Sequence, residues 1–293
     1  WNIENMFYGC SALVTLEENG INAPAADNVR YVFYGCTKLS ELDLTSWNMS
    51  NVTNMYQMFY NCYGLTKIDA TGWNVEKVAN MNYLFYNCYN LTEIAGMEDW
   101  NAQSLKNTAY MFYNCDGMTE IDVNHFNSAN IIELSYMFYD CDNVTALNLS
   151  NWTTNVTSVE YLFYSCNKLQ TVNLSDFNVG SVNNANYMFR DCTALTTIYA
   201  KNWTDIKTPN NHNYMFTNCT SLVGAIPYNS SYVNWNYANQ YTGYFTSPDG
   251  IETVNVLKSG KKFLSALFQI FRIQRRACYV PFRYTYTLHR QRS

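Results

Sequence analysis

Apolar and polar positions alternate in two different rhythms within one recurring sentence. Its clearest copy is LSELDLTSWNMSNVTNMYQMFYNC, residues 39–62. Leu42 and Leu44 lie two apart, as on one face of a short strand. Val52, Met55, Met58, Phe59 and Cys62 follow at spacings of three and four, which predicts one face of a helical segment. Between them, Thr45-Ser46-Trp47-Asn48 reads as a turn around a buried aromatic. The Trp position recurs at Trp73, Trp100, Trp152 and Trp203, with Phe126 and Phe177 in its place in two copies.

The copies have a fixed period. Nine of the ten cysteines stand in register at Cys10, Cys36, Cys62, Cys88, Cys115, Cys141, Cys166, Cys192 and Cys219, with gaps of 25 to 27 residues. A Phe precedes each by three positions, and an apolar residue follows each by three. Repeats of this length make solenoids, in which one unit buries its apolar face only against the units on either side. The expected fold is an α/β repeat solenoid, with a short parallel strand plus a helical segment in each unit of about 26 residues.

The pattern C-x-x-L-x-x-L-D-L-x-x-W-N-x-x-x-V-x-x-M-x-x-M-F resembles the bacterial surface-protein repeat of BspA-like leucine-rich-repeat proteins. The resemblance spans about residues 1–246. It implies a right-handed leucine-rich-repeat solenoid on an extracellular cell surface, and adhesion to a host or neighbouring-cell surface or matrix protein. On this reading residues 1–219 hold about nine repeats, truncated at the N-terminus. Residues 220–246 form a C-terminal cap, with Ala238-Asn239 and Thr242-Gly243-Tyr244-Phe245-Thr246 resembling the family's closing segment.

Charge separates the end of the chain from its body. The formal net charge is −5, but residues 1–246 carry 9 Lys/Arg against 21 Asp/Glu, and residues 247–293 carry 9 against 2. The acidic body argues against nucleic acid as its partner, since phosphate binding needs clustered cations. The basic tail, with Lys261-Lys262-Phe263-Leu264 and Arg275-Arg276, reads as disordered or non-native sequence. An amphipathic helix on an anionic membrane is the alternative. Its longest apolar run is too short to span a bilayer. Trp1 begins inside a repeat, so the chain reads as a fragment whose export signal and N-terminal cap lie upstream.

Candidate chemistry is sparse. The cysteines fall on the apolar face, where a free thiol packs as a small hydrophobe. Stacked Cβ atoms point in parallel, which does not suit a disulfide torsion near 90°. His125, His212 and His289 are scattered and no Cys-x-x-Cys occurs, so no metal or cofactor is expected; His212 reads as a core residue. No nucleophile-elbow, zinc-protease or phosphate-loop motif is present, and the chain is read as a non-enzyme.

Two sets of positions remain for binding. Strand residues flanking the buried leucine should face outward on the concave side: Glu17, Glu41, Asp43, Asp69, Glu93, Glu120 and Asp122 make the first half of that face acidic. Tyrosine fills seven of nine positions two residues before the cysteine: Tyr8, Tyr34, Tyr60, Tyr86, Tyr113, Tyr139 and Tyr164. It fills seven more, from Tyr31 to Tyr214, five residues before it, where the BspA-like repeats more often carry small polar residues. Three apart, the two columns should adjoin on the flank or convex side, where two compatible readings stay open: Tyr-on-Tyr stacking between repeats for stability, and a rigid amphipathic contact surface. These observations predict a protein-binding module. Carbohydrate binding through the tyrosines and a purely structural spacer are the alternatives.

Overall fold

A computed structural model describes residues 2–16, 26–153, 155–201, 203 and 214–248. Glu17, His212 and, beyond Pro248, the basic tail lie outside the described residues. Seven short strands are present among the described residues: β1 Glu41–Asp43, β2 Lys67–Asp69, β3 Glu93–Ala95, β4 Ala146–Asn148, β5 Thr171–Leu174, β6 Thr197–Ala200 and β7 Phe245–Thr246. They form two parallel sheets, in the orders β1-β2-β3 and β4-β5-β6-β7. Equivalent residues pair across coils, Leu42 with Ile68 and Ile68 with Ile94. Glu120-Ile121-Asp122 keeps the exposed–buried–exposed alternation without joining either ladder. This is a parallel β-solenoid.

The predicted helical segment is not there. Residues 55–62 and their equivalents are a run of turns, and the hydrogen bonds show why the spacing misled. Met58 N–H, Tyr60 N–H and Cys62 N–H donate three residues back, to the carbonyls of Met55, Gln57 and Phe59. The intervening donors, Met55, Gln57, Phe59 and Asn61, donate instead to Asn80, Asn82, Leu84 and Tyr86 of the next coil. An α-helix would use every interior N–H within the segment and leave the coils unlinked. Splitting the donors closes the turns and ties each coil to its neighbour. Turns of three repeat their apolar positions every three or four residues, so they imitate helical spacing.

The turns need left-handed backbone at two fixed places, Gln57 (φ 55°) and Asn61 (φ 60°) in this coil. The position just before each cysteine is filled by residues that tolerate it: Gly9, Gly35, Asn61, Asn87, Asn114, Asp140, Ser165, Asp191 and Asn218. The position five before the cysteine is Tyr in seven coils, with φ of 54–62°. A bulky residue there costs on the order of 1 kcal/mol, and its side chain must offset that.

The interior is a set of columns. Phe7, Phe33, Phe59, Phe85, Phe112, Phe138, Phe163, Phe189 and Phe216 stack at centroid spacings of 5.3–5.9 Å. The Trp/Phe column at the turn is buried throughout. Trp73 Nε1 donates to Leu44 O at 2.9 Å and Trp152 Nε1 to Val123 O at 3.0 Å, so two indoles also bridge coils.

Eight of the nine described cysteines are buried free thiols; the first-coil Cys10 is exposed. Each buried Sγ donates to the carbonyl of a Phe one coil back, from Cys36 to Phe7 O (3.2 Å) through Cys219 to Phe189 O (2.9 Å). The carbonyls of Phe7, Phe33, Phe59, Phe85, Phe112, Phe163 and Phe189 also accept the N–H of their own coil's cysteine. The thiol is therefore a small apolar filler with one weak donor, and alanine would leave the second lone pair unused. Burial pushes Cys62, Cys88, Cys115, Cys141, Cys192 and Cys219 well above the ordinary thiol value, and Cys36 up to about 11.

At the far end, Phe245 pairs with Ile198 and Thr246 with Tyr199. Tyr244 and Phe245, both buried, meet Phe216 edge-on at 5.1 and 6.4 Å. Among the described residues no helix is long and apolar enough to cross a membrane.

Candidate binding surfaces

The outward strand positions lie where the alternation puts them, yet the aspartates among them already have work. Asp43 Oδ1 accepts Thr45 N–H (2.9 Å) and the Thr45 hydroxyl (2.7 Å). Asp69 Oδ1 accepts Thr71 N–H (3.1 Å), and Asp122 Oδ1 accepts Asn124 N–H (3.0 Å). These bonds turn the chain from strand to buried Trp or Phe. Asn148 and Asn173 make the same bond to Ser150 and Ser175, so the column requires a side-chain acceptor and not a charge. Ala95 lacks one, and there Gly96 takes the bend with φ 84°, where a Cβ would lie 2.6 Å from the Thr71 backbone.

The glutamates are less committed. Glu41, Lys67 and Glu93 stand in one row across β1, β2 and β3. Lys67 Nζ is 3.1 Å from Glu93, an exposed pair worth little. Glu120 is exposed at the edge of a shallow depression of about 470 Å³, which reaches across Ala146 and Asn173 to Tyr199. The sequence-predicted acidic face is thus a set of turn formers and loose charges rather than one converging group. Among the described residues no group of His, Cys, Asp or Glu could hold a metal ion.

The tyrosines converge. Tyr8, Tyr34, Tyr60, Tyr86, Tyr113, Tyr139 and Tyr164 form one ladder, with centroids 4.4–4.8 Å apart and planes within 14°. Tyr83, Tyr110, Tyr136, Tyr161, Tyr187 and Tyr214 form a second, at 4.4–5.6 Å. The ladders touch at tilted contacts such as Tyr83–Tyr86 (5.6 Å) and Tyr161–Tyr164 (5.3 Å). One stacked pair contributes about 0.5–1.5 kcal/mol beyond burial. Two stacked faces on each inner ring are enough to offset the left-handed backbone of the second ladder. Burial, and then neighbouring phenols, push Tyr60 and Tyr110 up to about 12.

Sequence reasoning missed two arginines that finish this band. Arg190 occupies the place in the first ladder after Tyr164. Its guanidinium lies 5.9 Å from the Tyr164 ring and 5.4 Å from Tyr187, while Nε is 3.2 Å from Asp191 Oδ2. Arg30 lies 5.9 Å from Tyr31 and 2.6 Å from Glu4. Arg190 was legible as the residue that follows seven consecutive tyrosines in register, Tyr8 to Tyr164; its contact with the rings was not.

Beside the first ladder, Asp116, Asp140 and Asp142 lie within electrostatic reach of one another. Asp116 Oδ1 and Asn114 Oδ1 are buried acceptors with no donor. Burial, then Asp140 and Asp142, raise the Asp116 carboxyl to about 6. The folded value lies above the unfolded one, so this group favours the fold below about pH 4, and that advantage is lost as pH rises through 6. Asp116→Asn is therefore expected to stabilise the protein at pH 7.5 by on the order of 1 kcal/mol, after discounting for a half-exposed group. Urea melts at pH 7.5 and pH 4 check this; an equal gain at both would disprove the electrostatic cause.

Residues 1–121 and 117–229 match the family described as Mycoplasma protein of unknown function, DUF285. The chain belongs to that family. No curated protein matches this DUF285 chain. Among solved structures, a leucine-rich-repeat protein of T. pallidum is similar at 16% identity and a TM-score of 0.35, over 55% of this chain and 62% of that one. A leucine-rich-repeat protein of Bacteroides ovatus is similar at 16% identity and 0.31, over 77% and 70%. The TLR13 of a TLR13–ssRNA13 complex is similar at 12% identity and 0.30, over 67% and 33%. This DUF285 chain spans less than two thirds of the T. pallidum protein's length. At these values neither ligand nor partner transfers from any of them.

Proposed function

We propose that this DUF285 solenoid is a non-enzymatic protein-binding module and that the tyrosine band is its principal contact surface. The observation that carries the reading is the seven-ring ladder beside a second ladder whose tyrosines sit on left-handed backbone. Stacking offsets the cost of those turns, and the same stacking holds the rings as one continuous phenolic face. A stacked ring has already lost its rotamer freedom, which lowers the ordering cost of a contact. Repetition then lets several weak contacts add along one rigid face. The BspA-like resemblance of the repeats supports an extracellular cell-surface setting, adhesion, and a host or neighbouring-cell matrix protein as partner.

The test is a panel of extracellular-matrix proteins and a glycan array, probed with the purified chain. Retained protein partners are retested with Tyr60→Ala/Tyr86→Ala and, separately, Asp43→Asn/Asp69→Asn. Protein binding that falls at least tenfold in the tyrosine variant and holds in the aspartate variant is expected. Glycan binding alone would replace this reading with the carbohydrate alternative, and no binding at all would leave a spacer.

A further inference from the structure

The tyrosine band stays continuous even where the repeat does not supply a tyrosine. Gln57 stands where the second ladder calls for a ring, between Tyr31 and Tyr83. The residue before it, Tyr56, fills the gap edge-on, 5.4 Å from Tyr31 and 5.8 Å from Tyr83. The end rings Tyr8 and Tyr214 are 53% and 51% exposed, and the rings between them are partly buried.

A phenol that gives up one electron and its hydroxyl proton becomes a phenoxyl radical. Its unpaired electron is spread onto the two carbons beside the oxygen. On a lone tyrosine such a radical must wait for a second molecule. In the first ladder the next ring is held 4.4–4.8 Å away with its plane within 14°. Each ring is the same side chain displaced by one coil, so the carbons beside one hydroxyl lie over those beside the next. Rings in contact exchange electrons, so two radicals formed apart on the stack can meet on neighbouring rings. An oxidant need only reach an exposed end.

We propose that the tyrosine ladder is a cross-linking site, at which hydrogen peroxide acting through a haem peroxidase joins successive coils as dityrosine. Two phenols each give one electron and one proton. The two phenoxyl radicals form one carbon–carbon bond between positions ortho to the oxygens. The hydrogen on each bonded carbon moves as a proton to the oxygen of its own ring, and both phenols are restored. The peroxide takes the two electrons and two protons, its O–O bond breaks, and it leaves as two waters. Such a link supplies what the thiols do not, since all nine described cysteines are free. It closes a loop of one period and so removes conformations from the unfolded chain. The inference goes beyond the protein-binding reading and does not rest on it.

The whole chain is oxidised at low micromolar concentration with haem peroxidase and limiting hydrogen peroxide. It carries Cys10→Ser and Cys278→Ser, so that neither thiol intercepts the radical. Dityrosine fluorescence, the loss of two hydrogens per link from the intact mass, and mapping of linked peptides are the readouts. Links within one chain between tyrosines one coil apart, such as Tyr60–Tyr86 and Tyr113–Tyr139, are expected to exceed links between chains at least tenfold. The same oxidation in denaturing urea should lower those links at least fivefold. Tyr113→Phe/Tyr139→Phe keeps both rings in the stack without their oxygens. It should abolish the links at those positions and leave Tyr8 linked to Tyr34, and Tyr199→Phe/Tyr241→Phe, outside the ladders, should leave the map unchanged. The linked chain should unfold at a higher urea concentration than the unlinked one. Absence of dityrosine, links scattered without regard to the ladder or found mainly between chains, or an unchanged urea midpoint overturns the proposal. None of these outcomes bears on the matrix panel, which is read without oxidant.

Discussion

Between pH 9 and pH 11 the solenoid is expected to lose its fold in one cooperative step. Cys62, Cys88, Cys115, Cys141, Cys192 and Cys219 have an ordinary value of 9.0 and are held well above it by burial. The sign follows from linkage. The unfolded chain releases these protons near pH 9 while the folded chain keeps them, so stability is complete below pH 9 and falls as pH rises. Each thiol removes about 1.4 kcal/mol per pH unit above 9. By pH 10 six such groups remove about 8 kcal/mol, against a typical total of about 5–15 kcal/mol. Ladder tyrosines such as Tyr60 and Tyr110, raised to about 12, push in the same direction above pH 10. Circular dichroism in the presence of a reductant gives the midpoint, and absorbance at 295 nm reports tyrosinate. Both signals should change together. A fold that persists at pH 11 while its tyrosines titrate gradually would contradict the buried thiol column.

Phe112→Ala is expected to cost about 3–5 kcal/mol. Phe112 is fully buried and stacked between Phe85 at 5.5 Å and Phe138 at 5.9 Å. Removing the ring opens a cavity that backbone tied to both neighbours cannot close. The damage should stay local in origin, because each coil contacts only the coils beside it. Weakening the central joint therefore lowers the cooperativity between the two halves as well as the stability. A urea melt should show a lower midpoint and a broader transition. Phe112→Leu, which keeps most of the volume, should cost less than half as much. A loss below about 1 kcal/mol for the alanine variant would show that the column is not the main stabilising element.

The columns were legible in the sequence because burial repeats with the period: Phe33 and Cys36, Leu42 and Leu44, and Trp47 all lie inside. The helical reading failed on Val52–Cys62, because spacing records which residues share a face and not where their N–H groups go. The clue was the residue before each cysteine. Gly, Asn, Asp and Ser recur there, and a helix one turn from its end has no use for such a column, whereas a left-handed turn does. The strand positions beside the buried leucine were legible as outward from the alternation, but their turn-forming bonds were not: Asp43 and Asn148 accept the same kind of backbone bond with and without charge. The tyrosine columns were visible as letters. Stacking between repeats was one of the two readings they left open; the 4.4 Å spacing of Tyr113 and Tyr139 was not legible, because it depends on the rise from one coil to the next.

The division of backbone donors between own turn and next coil has a consequence for the history of such chains. Every joint from coil to coil is made by the same backbone atoms, so no joint depends on which coil it joins. A stretch of one period can be copied or lost within the array, and the pieces on either side meet through the same pattern of bonds. Length then changes in whole steps while the rim chemistry of each step drifts independently, so new combinations of surface letters arise without reworking the interior.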